Sequence, residues 1–248
     1  MARKRRIRLV RKRRLVVFRA LLAIIVVSLS LFYFIQSPFW AVEAVTVRGN
    51  SFIPAGELRE LAGIPLGINI FKVDFYQAEQ HLLLHPLVKE VQLMRKLPRE
   101  IQIVVSERTP KAVIPFNDGF YQIDGEQHVL RSVPTVSDSS LPLITGLEVG
   151  DLSPGQRLSS ELLGEALALV DKLPPALREL VAEIDLSQQD TIFLHTVDGV
   201  KVNFGDSNRI DEKAALMEEI LQTTLINRAD LEYVDLSFAG APVIKYAN

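Results

Sequence analysis

The chain has 248 residues, enough for one or two domains, and no cysteine, which excludes a disulfide framework, a thiol nucleophile and thiolate zinc sites. Its formal charge of −2 hides an asymmetry: residues 1–19 hold ten Lys and Arg and no acid, so the other 229 residues, with 18 basic and 30 acidic side chains, stand at −12. A basic head on an acidic body excludes a uniform nucleic-acid binder.

Residues 20–42 carry no charge, and Leu21, Leu22, Ile24, Ile25, Val26, Val27, Leu29, Leu31, Phe32 and Phe34 make the first part almost wholly apolar. At about 1.5 Å per residue this stretch crosses a hydrocarbon core of roughly 30 Å. Pro38 breaks the helix, and Phe39 and Trp40 fall where an interfacial aromatic belt belongs. The cations before the span and Glu43 after it predict a cytoplasmic N-terminus, with residues 43–248 outside. A cleaved signal peptide is the rival, because Val42-Glu43-Ala44 loosely fits a small-residue cleavage site. The apolar run exceeds the roughly 7–15 residues of a signal h-region, which favours an uncleaved anchor. Anionic lipid of the inner leaflet, attracting each nearby cation by about 1 kcal/mol, explains the basic head more simply than nucleic acid does.

Val45 and Val47 alternate with Ala44 and Thr46 and stop at Gly49-Asn50, a strand followed by a turn. Pro54 opens a short helix carrying Leu58 and Leu61 and ended by Gly63. Asp74 with Gln77 resembles a capping box for a second helix, with Phe75, Ala78 and Leu82 on one face and Pro86 at its close. Val91 and Leu93 alternate next, and after a charged turn with Pro98, Ile101, Ile103 and Val105 form a strand of period two. The expected order is strand, helix, helix, strand, strand: a three-stranded sheet with two helices on one face.

These residues carry a resemblance. Val45-Thr46-Val47-Arg48-Gly49-Asn50, Gly67-Ile68-Asn69-Ile70-Phe71 and His85-Pro86-Leu87-Val88 resemble a POTRA domain of the FtsQ/DivIB type, as do Leu97-Pro98-Arg99-Glu100-Ile101. The most specific part is Glu107-Arg108-Thr109-Pro110-Lys111-Ala112, which matches the family's domain junction directly after the third strand. The implied fold is α+β: a cytoplasmic basic tail (1–19), a transmembrane helix (20–42), a βααββ POTRA domain (43–108), a mixed β-sheet domain with flanking helices (109–238) and a C-terminal edge strand or tail (239–248).

In the second domain, Phe120-Tyr121-Gln122-Ile123-Asp124-Gly125 followed by Val129-Leu130 reads as a hairpin and looks like the family's Tyr-x-Ile-Asp step. Residues 132–140 form a polar loop, and Leu141-Pro142-Leu143-Ile144-Thr145-Gly146 matches the family's Pro-x-(Ile/Val)-x-Gly element. Leu162, Leu163, Ala166, Leu169 and Val170 predict a helix ended by Pro174-Pro175. Asp198-Gly199 predicts a hairpin turn between strands at 191–197 and 200–204. Ile210, Ala214, Met217 and Leu221 define the face of a last helix. Val234, Leu236 and Phe238 alternate in a strand, which 242–246 continues beside. The triplet Asp-Leu-Ser occurs at Asp185 and at Asp235, suggesting strands used alike.

Catalytic patterns are missing. His81 and His85 stand at helical i, i+4 spacing but lack the His-Glu-x-x-His base and a third ligand, and His195 alternates with Phe193 and Val197 as a packing or surface residue. Glu218 and Glu219 are adjacent and point to different helix faces, a poor general-acid pair. The sequence gives no support for an enzyme, a metal or a cofactor.

The resemblance implies a non-catalytic, bitopic divisome scaffold at the bacterial cell membrane and division septum. It implies partners of the FtsB/DivIC and FtsL type, bound by β-strand addition, together with other divisome membrane proteins, and a hand in controlling septal peptidoglycan synthesis. The expected partner-binding residues are Val234, Leu236, Phe238, Gly240 and Tyr246, with Lys213 on the last helix facing an acidic partner group or, as the plainer alternative, solvent. Pro242 departs from the family's binding strand and is expected to shorten the paired stretch. Arg48, Gly49, Asn50, Glu107, Arg108 and Pro110 are expected to serve recruitment or the domain junction, or simply to set backbone angles. The alternative reading is a membrane-anchored envelope enzyme, or its regulatory subunit, acting on peptidoglycan. An outer-membrane assembly factor would need a C-terminal β-barrel in place of the expected helices.

Overall fold

The computed structural model describes residues 2–136, 141–188, 191–223, 231–238 and 240–246. Residues 137–140 of the expected polar loop and Ala239 of the expected partner strand lie outside them, as do the side chains of residues 1–16 and of 221–223, Leu221 among them. The chain divides into two compact units, one of Met1–Leu83 with Glu90–Ser106, the other of Leu84–Lys89 with Glu107–Asn248.

The first unit opens with helix α1 (Ala2–Ile35), whose apolar section Val17–Ile35 is exposed all round, as lipid-facing residues must be. Strand β1 (Ala44–Arg48), helices α2 (Ala55–Ala62) and α3 (Phe75–Leu83), and strands β2 (Val88–Lys96) and β3 (Glu100–Glu107) follow in the expected order. The sheet runs β1-β3-β2, with β1 parallel to β3, so that Val45 lies beside Ile101 and Val47 beside Ile103. Gly63 ends α2 in the left-handed conformation, and the Asp74 carboxylate accepts the Gln77 N–H at 3.1 Å to start α3. Leu58 of α2 and Leu82 of α3 are fully buried with Ile101 and Ile103; each such side chain stabilises the unit by roughly 1.5–3 kcal/mol. Gly49, at φ +83°, turns the chain where an added Cβ would meet the Val105 carbonyl oxygen at 2.2 Å.

Among the described residues the second unit holds a nine-stranded mixed sheet: β4 (Ala112–Phe116), β5 (Gly119–Ile123), β6 (Val129–Val133), β7 (Leu143–Thr145), β8 (Val181–Asp185), β9 (Ile192–Thr196), β10 (Lys201–Gly205), β11 (Leu231–Asp235) and β12 (Val243–Tyr246). Their spatial order is β12-β11-β10-β9-β8-β7-β4-β5-β6. Helices α4 (Glu161–Lys172), α5 (Pro175–Arg178) and α6 (Ile210–Thr223) complete it. Ile144, Ile184, Leu194, Val202, Val234 and Ile244 line up in register across six neighbouring strands. This apolar row packs with Leu163, Leu167 and Val170 of α4 and Ala214 and Met217 of α6. The next rows point to the other face, which is largely polar: Glu183, His195, Lys201, Tyr233 and Lys245 in one, Asp185, Phe193, Asn203 and Asp235 in the other. Period-two alternation thus makes one face core and leaves the other half-wet.

Several elements depart from the sequence expectation. Strand β4 and the short α5 were not expected, because Pro115 interrupts the first pattern and Pro174-Pro175 reads as a stop, although proline is compatible with a helix's first position. Strand β11 ends at Asp235, so Leu236 and Phe238 lie beyond it.

Candidate functional site: a free strand edge

The described sheet ends at β12, which pairs antiparallel with β11 through Val234 opposite Ile244 and Asp235 opposite Val243. Its outer side faces no strand among the described residues, so alternate N–H and C=O groups there are open to pairing. Ile244 packs on the core, whereas Phe238, Val243 and Tyr246 are 73%, 58% and 50% exposed. Three large apolar side chains therefore accompany an unpaired backbone edge. Such an edge can accept an added strand, with main-chain bonds giving affinity and side chains giving specificity. Pro242 directly precedes the four-residue ladder, which begins at Val243.

Val234 and Leu236 are 1% and 3% exposed, and the Leu236 N–H donates to the Asn203 carbonyl at 2.8 Å. Both side chains belong to the core and hold β11 from behind; the expectation that they meet a partner is corrected. Nor does Phe238 share their face. The Asp235 carboxylate accepts the Ser237 N–H at 2.9 Å and its hydroxyl at 2.6 Å, an Asx turn that redirects the chain just after the strand. Its other oxygen accepts Tyr233 OH at 3.0 Å and Asn203 Nδ2 at 3.2 Å. Burial opposes ionisation of Asp235, but the bonds from Ser237, Tyr233 and Asn203 outweigh it and hold the carboxyl below its usual range. The twin triplet uses the same device: Ser187 N–H donates to Asp185 at 2.8 Å as β8 ends.

Lys213 is neither solvated nor turned to a partner. It is 1% exposed, and its ammonium donates at 2.9 Å to the carbonyls of Phe204 and Asp206 and to the Asp206 carboxylate. The ion therefore fastens α6 to the end of β10, two strands in from the edge. Its charge, with a hydrogen bond from Asn208, draws the Asp206 carboxyl down to about 2. Gly240 lies in the exposed loop between β11 and β12 at φ +133°.

The junction residues fall into two groups. Arg48 is the exposed end of β1, and Asn50 Nδ2 donates to the Ile53 carbonyl at 2.9 Å, closing the turn that Gly49 begins. Arg108 is the hub of a second cluster, together with Glu107 at the end of β3 and Pro110 before β4. Its guanidinium donates to Asp124 at 2.5 Å and to Glu126 at 2.8 Å, and lies 3.0 Å from His128 Nδ1. Asp124, the acid of the Tyr-x-Ile-Asp step, also accepts the N–H groups of Glu126 and His128 at 2.9 and 2.7 Å. Two motifs distant in sequence thus meet as one ion pair, which reading each motif separately does not reveal. Hydrogen bonds from Lys89 and Arg108 bring Glu126 down to about 2. Asp124, Glu126 and His128 bring metal-ligand atoms within 4.8 Å of one another, but Arg108 already serves them as counter-ion. His85 Nδ1 accepts the Leu87 N–H at 3.2 Å, a turn contact.

Comparison with known proteins bears on the same segments. The family model for the POTRA domain, FtsQ-type, matches residues 40–108, and that for the C-terminal part of cell division protein FtsQ/DivIB matches residues 112–237. Among similar proteins, cell division protein DivIB of Clostridium botulinum is 25% identical over 241 residues, covering 96% of this chain and 94% of that one. Cell division protein FtsQ of Streptomyces bingchenggensis is 29% identical over 248 residues, covering 98% and 90%. The FtsQ of Geobacter sp. strain M21 is 31% identical over 208 residues, covering 82% and 75%.

Proposed function

This chain belongs to the FtsQ/DivIB family of cell division proteins, and on that premise we propose that it is a non-catalytic, bitopic scaffold whose free β12 edge receives a strand from a partner of the FtsB/DivIC type. Through that partner it links an FtsL-type protein and other divisome membrane proteins to the control of septal peptidoglycan synthesis. The observation that carries the reading is the edge itself: a strand whose outer side pairs with no other strand among the described residues, flanked by exposed Phe238, Val243 and Tyr246. Gly240 lets the connecting loop turn, and Lys213, Val234 and Leu236 support the edge from within. The exposed turn at Arg48, Gly49 and Asn50 and the junction Glu107, Arg108 and Pro110 serve placement at the septum. The basic head keeps residues 1–19 in the cytoplasm, beside inner-leaflet anionic lipid, and the sheet unit outside.

A fluorescent fusion to the N-terminus, expressed in cells depleted of their own FtsQ/DivIB protein, is expected to form mid-cell rings and restore division. Uniform membrane label with no restored division would overturn the scaffold reading. A reporter after Asn248 should be active only in an extracytoplasmic form, and a cytoplasmic signal would overturn the topology.

A further inference from the structure

The last turn of α1 is tied to the domain that follows. Asn69 Nδ2 donates to the Ile35 carbonyl at 2.7 Å, and Arg99 Nε donates to the Phe39 carbonyl at 2.9 Å. Val42 N–H donates to the Ile68 carbonyl and Gly67 N–H to the Val42 carbonyl, both at 2.8 Å, while Glu43 N–H donates to the Arg99 carbonyl at 2.8 Å. The loop 66–72 and the turn 97–99 are therefore held where the chain leaves the apolar helix. Val17–Ile35 has 19 residues, about 28 Å of helix, so Ile35 falls at the far boundary of the hydrocarbon core.

The surface gathered there is unlike ordinary solvent-facing surface. Leu66, Leu97, Phe39 and Phe71 are 65%, 57%, 46% and 45% exposed. Trp40 stands between Phe39 and Phe71, its ring centroid 5.0 and 5.2 Å from theirs. Exposed Lys72 and Lys96 flank the group, and Arg99 both pairs with Glu43 and lies over the Phe39 ring. Aromatic and leucine side chains with a cationic rim are the composition of a segment lying in a membrane interface.

We infer that this collar is a second membrane contact: Leu66, Phe71 and Leu97 seat in the interface of the leaflet from which α1 emerges, and Lys72 and Lys96 lie against anionic headgroups. The occupant is the bilayer itself, because the hydrogen bonds at the end of α1 make the collar continuous with the transmembrane helix. The contact fixes how the POTRA domain stands on the membrane, so that α1 is more than a tether.

Because the chain lacks cysteine, single labels are specific. Full-length Leu66→Cys, Leu97→Cys and Phe52→Cys proteins, carrying a fluorescent label, would be placed in lipid nanodiscs containing phosphatidylglycerol and a shallow spin-labelled quencher lipid. An Ile25→Cys protein provides the inserted reference. Phe52 follows β1, which carries the chain about 3.3 Å per residue away from the helix end. The collar predicts strong quenching at 66 and 97 and little at 52, with quenching at 66 and 97 reduced when Lys72→Gln and Lys96→Gln are combined or when phosphatidylcholine replaces the anionic lipid. Equal quenching at 66, 97 and 52 would overturn the contact. Quenching at 66 and 97 that neither the lysines nor the headgroup charge alters would overturn the role of the cations.

Discussion

Replacing Gly146 by alanine is expected to destabilise the sheet unit by on the order of 4 kcal/mol, a large penalty for one methyl group. Gly146 follows β7 at φ +81°, and an added Cβ would stand 2.1 Å from the Ser187 backbone nitrogen and 2.5 Å from the Leu186 carbonyl carbon. Both neighbours are backbone of the segment leaving β8, so relief requires separating two paired strands. Left-handed backbone alone costs alanine about 1–2 kcal/mol, and Gly155 isolates that part, being at φ +90° with nothing within 4 Å. Thermal unfolding of the full chain should show Gly146→Ala falling by roughly 10 °C and Gly155→Ala by about a quarter to a half of that. Equal losses at the two positions would show that the close approach after β7 carries no weight.

Lys213→Met should cost about 3 kcal/mol. The substitution keeps an unbranched apolar stem, one atom shorter, but leaves the Phe204 and Asp206 carbonyls without their donor, at about 1–3 kcal/mol for each unsatisfied group that stays buried. The Asp206 ion pair adds little, because that carboxylate is 52% exposed and screened by water. Its pH dependence has a definite sign. Asp206 titrates near 2 in the folded chain against an ordinary 3.8, so the pair's contribution is complete above about pH 4 and is lost as pH falls toward 2. Stability measured from pH 5 to 2 should fall less steeply in Lys213→Met than in the parent chain. Identical slopes would contradict the pairing. Glu126, also near 2, contributes its own decline in the same window in both proteins.

The sequence reveals the parts of the fold governed by period and punctuation. Alternation at Ile101, Ile103 and Val105 marks β3, Asp198-Gly199 marks the β9–β10 turn, and the spacing of Ile210, Ala214 and Met217 marks the buried face of α6. It is less informative where tertiary pairing decides. β4 is a strand because β5 and β7 flank it, despite Pro115. The candidate site is half legible. Alternation extended past Asp235 assigns Phe238 to the face of Val234, but the side chain of Asp235 captures Ser237 and ends the period. The Asp-Leu-Ser repeat contained that signal, since Asp185 and Ser187 form the same turn. Lys213 illustrates the opposite limit: nothing in a helical charge pattern distinguishes a lysine in water from one bound to two carbonyls and a carboxylate. Arg108 and Asp124 each sit in a recognisable motif, and only folding brings them together.

Whether β12 is a receiving edge is measured most directly by the affinity of full-length protein in nanodiscs for its FtsB/DivIC-type partner, compared with its melting temperature. Phe238 and Tyr246 are at least half exposed, so Phe238→Ala and Tyr246→Ala should leave the melting temperature unchanged. A central aromatic anchor is worth about 2 kcal/mol, so at least one variant should bind roughly 30-fold more weakly. Unchanged affinity in both variants, or affinity lost only together with melting temperature, would contradict a partner strand at this edge.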